Sequence, residues 1–192
     1  MSDFLHANDT PATYPPSWYT ESSPHSQLHP PLKGGISCDV CVIGAGFTGL
    51  STALHLARKG FKVIVLEAHR IGFGASGRNG GQVGSGWNQD QQKLEKQLGH
   101  DAAHRLWEMA QAAKTLTRNL AIQFAPDAGY HPGVAEACFN DRDTISSHAK
   151  ADYLEKNYDY NEIECLDTSA LADVIKSKSY SVGIIDWVAG HL

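Results

Sequence analysis

Three glycines, Gly44, Gly46 and Gly49, stand as G-x-G-x-x-G, and an acid, Glu67, follows 23 positions after the first of them. In such a pattern the first glycine allows a tight turn, the second lets the backbone approach a pyrophosphate, and the third lets a helix pack close to a strand. The N-terminus of that helix then presents free N–H groups to the phosphate charge. An acid about 20 residues further on hydrogen-bonds a ribose diol. A carboxylate at that place disfavours a 2′-phosphate, which sets NADP aside. These residues describe a dinucleotide site, with Ala45, Phe47 and Thr48 inside the turn and Ala68 beside the acid.

A second glycine-rich stretch, "RIGFGASGRNGGQ", begins three residues beyond Glu67. Its glycines are interleaved with Ser, Arg, Asn and Gln, which is not the composition of a plain flexible loop. Ser76 and the N–H groups around Gly74 and Ala75 can reach phosphate oxygens. Arg78 offers a planar fork for phosphate or for an electron-rich ring edge. Gly80 and Gly81 let main chain run flat against a planar ring, and Asn79 and Gln82 flank them. A backbone-lined surface directly after the ribose-binding acid suits a cofactor with two large halves lying along the chain.

The elements around these residues follow from periodicity. "CDVCVIG" is a nearly continuous apolar run, the pattern of a strand buried on both faces. "FTGLSTALHLARKG" switches to helical spacing, with Leu50, Ala53, Leu54 and Ala57 on one stripe, and Gly60 after Arg58 and Lys59 is a helix stop. "KVIVLE" is a second buried strand, so the unit is βαβ, parallel and right-handed. Further on, "DQQKLEKQLGHDAAHRLWEMAQAAKTLTRNLAI" predicts two helices broken near Gly99, the second with Leu106, Met109, Ala113, Leu116 and Leu120 as its apolar face. "APDAGYHPGVAEACF" predicts a hairpin, "DTISSHAKADYLEKNYDY" a helix, and "SVGIIDWVAGHL" a short strand leading into a loop. Six of the eight prolines fall in the first 35 residues, which read as an extended arm. Its "SWY", Ser17 to Tyr19, could pin it to a partner surface.

Sixteen basic and twenty-one acidic residues give a net charge of −5, too mild for a nucleic-acid or anionic-membrane partner. No run of about eighteen apolar residues exists to cross a membrane. The N-terminus lacks both a basic start and an apolar core, so a signal peptide is not expected and a reducing cytoplasm is the default. Cys38 and Cys41 form C-x-x-C, but with no second such pair they read as two buried small residues on a strand. His100 and His104, four apart on one helix face, lack the further ligands zinc requires. No metal site is assigned, and His69 reads as a solvated turn residue.

The run "DVCVIGAGFTGLSTALHLARKGFKVIVLEAHRIGFGASGRNGGQ" resembles the FAD-dependent amine and amino-acid oxidases of the D-amino-acid oxidase superfamily. Within it, "GASGRNGGQ" and the upstream "SWY" look most like the gamma-glutamylputrescine oxidases of bacterial polyamine catabolism. The resemblance implies an α/β fold: a Rossmann-like FAD-binding βαβ domain followed by the beginning of an α+β substrate domain. On that basis residues 1–35 are the arm, 36–90 the N-terminal part of the FAD-binding domain, and 91–192 a helical segment with a partial substrate domain. It further implies that Gly44, Gly46 and Gly49 bind the FAD pyrophosphate and Glu67 the adenosine ribose. Ser76, Arg78, Gly80 and Gly81 would line the phosphate-to-flavin side, with Gln82 near the ring. The substrate implied is a small-molecule amine, oxidised at a C–N bond by hydride transfer to flavin.

Members of that family are more than twice this length, and "AGHL" looks like the start of a segment leading back to the FAD domain. The chain is therefore expected to be an N-terminal fragment, inactive alone and completed by a C-terminal half. No catalytic residue is assigned, and the truncated motif leaves His191 without a role. Two other readings stand beside this one: a non-catalytic dinucleotide-binding remnant or subunit, and an NAD-dependent dehydrogenase on the same βαβ unit.

Overall fold

Strand β1 (Val40–Ile43) lies parallel to β2 (Val63–Leu66), Val40 opposite Val63 and Ile43 opposite Leu66, and helix α2 (Phe47–Arg58) connects them. A five-residue helix, α1 (Trp18–Ser22), precedes them, its first turn capped by Ser17, whose Oγ accepts the Thr20 N–H. The computed structural model describes residue 10 and residues 13–23, 28–180 and 182–192; the expected arm, residues 1–35, lies partly outside these. The chain divides into two compact units, Met1–Asn79 and Gly80–Leu192.

The first unit is the βαβ element. Asp39 pins its register at the entry: its N–H donates to the Lys62 carbonyl, and its carboxylate accepts the Lys62 N–H at 2.7 Å. Gly60, at φ +90°, ends α2 where an L side chain would be strained, as its place after two basic residues predicts. Neither strand is fully buried, although β2 is half-buried on both faces. β1 alternates, with Val40 and Val42 half-buried and Cys41 and Ile43 exposed, Ile43 at 87%. Val42 lies on the α2 side, against Gly49. Among the described residues this sheet has two strands, so the outward-pointing side chains have nothing on them. The same fact corrects the cysteines, Cys38 being half-buried and Cys41 exposed. No α2 residue is fully buried: Ala53 and Leu54 of the expected stripe are half-covered, while Leu50 and Ala57 are exposed.

The second unit is built on β6 (Val182–His191), a ten-residue strand where a short strand and loop are predicted; Ser181, just before it, lies outside the described residues. Strand β4 (His131–Cys138) runs antiparallel along one edge, from His131 opposite His191 to Cys138 opposite Val182, with a bulge between Pro132 and Val134. β5 (Ile163–Leu166) and the two-residue β3 (Gln82–Val83) share the other edge. The predicted hairpin over 125–139 is instead a short 3-10 turn, Pro126–Ala128, leading into β4, whose partner lies about fifty residues on. Local turn chemistry at Pro126 and Gly129 is real, but pairing is decided by a distant strand.

Helices α3 (Gln91–Leu98) and α4 (His100–Phe124) break at Gly99, φ +81°, as the sequence predicts. The face of α4 that is buried is Ala103, Trp107, Ala110, Lys114 and Ala121, one position round from the predicted stripe. Met109 and Leu116 are exposed, Ala113 too, and Leu106 and Leu120 are half-buried. Small residues on the observed face let α4 pack closely, and the large Trp107 fills what remains. Helix α5 (Asp141–Tyr158) starts at Asn140, whose side chain accepts the Asp143 N–H, and ends at Asp159 in the left-handed region. One core cluster joins Trp107, Leu154, Tyr158 and Tyr160. The other places Leu166 and Ile185 under Leu171 of α6 (Thr168–Val174).

Candidate cofactor site

The turn after β1 is shaped by what its glycines exclude. Gly44 sits at φ +97° and donates its N–H to the Leu66 carbonyl at 2.7 Å, tying the turn to the end of β2. A Cβ on Gly49 would stand 1.9 Å from the Gly44 carbonyl oxygen, so only glycine permits this approach of helix to strand. A Cβ on Gly46, the N-cap of α2, would stand 2.9 Å from Ser76 Oγ. The first N–H groups of a helix lack intrahelical partners. That of Phe47 donates to Ser76 Oγ at 2.9 Å, so the sequence-distant serine already marks the helix N-terminus as a place for oxygen acceptors. Thr48 is exposed beside it.

Glu67 lies one residue past β2 and closes the turn from the other side. One carboxylate oxygen accepts the Ala45 N–H at 2.7 Å and the other the His69 N–H at 2.9 Å. Burial pushes this carboxyl up, but the N–H groups of Ala45, His69 and Ala68 and the His69 charge outweigh it and hold it below its ordinary value. Glu67 is therefore an anion at neutral pH. A carboxylate has about four lone-pair sites, so two remain for a diol. Contrary to a plain solvated turn residue, His69 stacks on Phe73, ring centroids 4.2 Å apart.

The glycine-rich stretch is ordered by its own backbone. Gly72 donates to the Ala45 carbonyl at 2.9 Å. Gly74 caps a 3-10 turn, Ala75–Gly77, and a Cβ on Gly77 would meet the Gly72 carbonyl oxygen at 2.2 Å. Asn79 donates to the carbonyls of Ala75 and Ser76. Arg78 donates Nε–H to the Phe73 carbonyl at 2.9 Å, with its guanidinium 4.9 Å from the Phe73 ring centroid. Ala45, Gly46, Phe47, Gly49, Glu67, Ala68 and Ser76 are thus one constellation in the first unit. Gly80, Gly81 and Gln82 belong to the second unit. There Gly81, at φ +70°, has its close approach to the Leu192 backbone, 2.4 Å from a built Cβ to the carbonyl oxygen, and Gln82 is an exposed β3 residue opposite His191. The glycine at 81 is thus required by strand pairing.

These residues fit an adenine dinucleotide. The cradle at Gly46 is one a methyl group would fill, a helix N-terminus opens on it, and a stable carboxylate stands across the turn.

Two features escape the sequence reading. Tyr14, in the arm, donates its hydroxyl to the Ile71 carbonyl at 2.7 Å. In the second unit Lys114 is 7% exposed, and its Nζ donates to Ser85 Oγ at 2.7 Å and Tyr160 Oη at 3.0 Å. Tyr160 in turn donates to Asp186 at 2.8 Å, and Asp186 accepts the N–H groups of Val188 and Ala189, fixing the irregular turn of β6. Burial depresses Lys114, countered in part by Asp186 and Glu162, and burial together with Asp186 pushes Tyr160 up. A lysine in phase with Trp107 on a small-residue stripe was the available signal.

Residues 39–192 match the family model described as FAD dependent oxidoreductase. Gamma-glutamylputrescine oxidoreductase of Escherichia coli (strain K12) is 38% identical over 176 residues, 92% of this chain but 41% of that protein. Among solved structures, L-amino acid deaminase from Proteus myxofaciens superposes with a TM-score of 0.63 at 19% identity, over 87% of this chain and 36% of its own. Glycine oxidase from Bacillus cereus superposes with a TM-score of 0.59 at 23% identity, over 81% and 40%. The two structures bear on fold alone, and the chain spans about two fifths of the length of these relatives. With the family model covering most of the chain, the chain is a member of the FAD-dependent oxidoreductase family.

Proposed function

We propose that this chain is the cofactor-proximal part of an amine oxidoreductase whose substrate is a gamma-glutamylputrescine-like amine. The observation that carries the reading is the 38% identity to gamma-glutamylputrescine oxidoreductase across 92% of the chain. Bound FAD would supply the hydride acceptor for oxidation of a C–N bond. The chain's own residues bind and orient it. The turn at Gly44, Gly46 and Gly49 and the α2 N-terminus accommodate the pyrophosphate, Glu67 takes the ribose diol, and Ser76 and Arg78 serve the phosphate side. Gly80, Gly81 and Gln82 are assigned to the flavin side by family resemblance.

The same reading assigns the 192 residues alone no turnover. Among the described residues β1 has a neighbour on one edge only, and an unpaired apolar edge recruits other strands. We propose that activity requires polypeptide that pairs there and covers the flavin, in the form of a complementing C-terminal half. The test is co-expression with the part of the Escherichia coli relative that lies beyond the matched region. The expected result is a yellow complex whose flavin absorbance bleaches anaerobically on adding gamma-glutamylputrescine, while the chain alone purifies colourless and associates. A yellow complex that no amine bleaches refutes the substrate class. A soluble monomer of the 192 residues with stoichiometric FAD refutes the need for a partner.

A further inference from the structure

We propose that Tyr14 is a positioning residue for the cofactor site, and that the N-terminal arm is part of that site's framework; this rests on the cofactor assignment above. The loop from Gly72 to Gly77 behaves as one closed piece. Its ends approach so nearly that a Cβ on Gly77 would meet the Gly72 carbonyl oxygen at 2.2 Å, and within it Gly77 donates to the Gly74 carbonyl. Such a piece is placed by its external ties. On one side the Gly72 N–H reaches the Ala45 carbonyl at 2.9 Å, within the glycine turn itself. One residue earlier the Ile71 carbonyl accepts the Tyr14 hydroxyl at 2.7 Å, across 57 positions of sequence. The Arg70 guanidinium caps the Tyr14 ring, 4.5 Å from its centroid, so ring and hydroxyl grip adjacent residues of the loop's entry. Pro15, Tyr19 and Thr20 of the arm and Gly72, Phe73 and Arg78 of the loop line one cleft of about 190 Å³.

What this placement controls is Ser76. Its hydroxyl meets the Phe47 N–H at 2.9 Å and stands where a Cβ on Gly46 would be 2.9 Å away. A shift of the loop by about an ångström carries that hydroxyl out of hydrogen-bond range and changes which oxygen the α2 N-terminus meets. Tyr14 thus acts on the phosphate cradle through Ile71 and Ser76 without touching it. The function of "SWY" follows in part: Ser17 caps α1, and Tyr19 holds the arm's side of the cleft.

The experiment compares the 192-residue chain with Tyr14→Phe, which keeps the ring over Arg70 and removes only the hydroxyl, and with Tyr14→Ala, which removes both. Amide exchange of Phe47 and of residues 72–78 is followed without nucleotide, with β1 and β2 as the control for folding of that unit, and ADP affinity is measured by calorimetry. Losing one neutral hydrogen bond is expected to speed loop and Phe47 exchange and to weaken ADP binding, each about fivefold for Tyr14→Phe, and further for Tyr14→Ala, with β1 and β2 unchanged. Unchanged loop exchange overturns the proposal, and so does faster exchange with unaltered ADP affinity. If the unsubstituted chain binds no ADP, the cofactor assignment is wrong, while the Phe47 amide still decides whether Tyr14 places Ser76.

Discussion

Removing the Glu67 carboxylate is the sharpest perturbation of the cradle, because it separates a structural role from a binding one. Both oxygens are engaged, at 2.7 Å by Ala45 N–H and at 2.9 Å by His69 N–H. In Glu67→Ala the His69 N–H turns to water while that of the buried Ala45 loses its acceptor, and the stability cost is expected at about 1.5–3 kcal/mol. Binding loses separately. The two remaining acceptor positions would take a ribose diol, and their loss is worth about 1.5–3 kcal/mol, or roughly 10–150-fold in Kd. Glu67→Gln is expected to lose nearly as much, because a carboxamide sets its NH2 against one of the two N–H donors. Calorimetric titration of ADP beside urea denaturation reads the two costs independently. The sign with pH is also fixed. The Glu67 carboxyl is held below its ordinary value, so its contribution is complete above the unfolded value of about 4.3 and is lost as pH falls through the lower folded one. ADP affinity unchanged in both variants refutes the ribose assignment.

Gly49→Ala is expected to disrupt the first unit by about 1–3 kcal/mol or more, because the new methyl meets backbone at Gly44; amide exchange across β1 and β2 should rise while that of α4 does not. Arg78→Ala is expected to lower flavin occupancy in the complemented enzyme, with Arg78→Lys a partial rescue because the Nε–H to Phe73 and the planar stack are lost; equal occupancy in all three proteins returns Arg78 to a loop-stabilising role. Asp186→Asn removes one of the two carboxylates that compensate Lys114 and loosens Val188 and Ala189, and a loss of about 1–3 kcal/mol in the urea stability of the second unit is expected; an unchanged midpoint refutes the network.

The legible part of the fold is the part whose interactions are local. Gly44 and Gly46 turn the chain into α2, Gly49 lets its first turn approach the Gly44 backbone, and Gly60 follows its end, all at the places the pattern gives them. Gly99 broke α3 from α4 for the same reason. The long-range sheet was not legible. Nothing in "HPGVAEAC" names Val182–His191 as its partner, so the local pattern reads as half a hairpin and a short strand. The α4 face was misjudged because apolar residues occupy two adjacent stripes. The choice fell to Ala103, Ala110 and Lys114, small or network-forming, over the larger Met109 and Leu116.

Burial failed differently, and the failure bears on the site. Apolar runs such as "VCVI" and "VIVL" are written for two covered faces, yet Ile43 is 87% exposed and Leu50 and Phe47 of α2 are exposed beside it. Among the described residues this sheet has two strands, and β2 is half-buried on both faces while β1 leaves Cys41 and Ile43 exposed. The cradle is already formed on that incomplete support, because its geometry comes from backbone closures: Gly44 to Leu66, Gly72 to Ala45, and the glycine contacts that admit no side chain. These closures are joined by side chains reaching in from a distance, Glu67 from the end of β2 to Ala45 and His69, and Tyr14 from the arm to Ile71. The place of the acid follows a spacing rule that ties it to the glycines. The tyrosine follows no such rule, and only the folded chain brings its hydroxyl to Ile71.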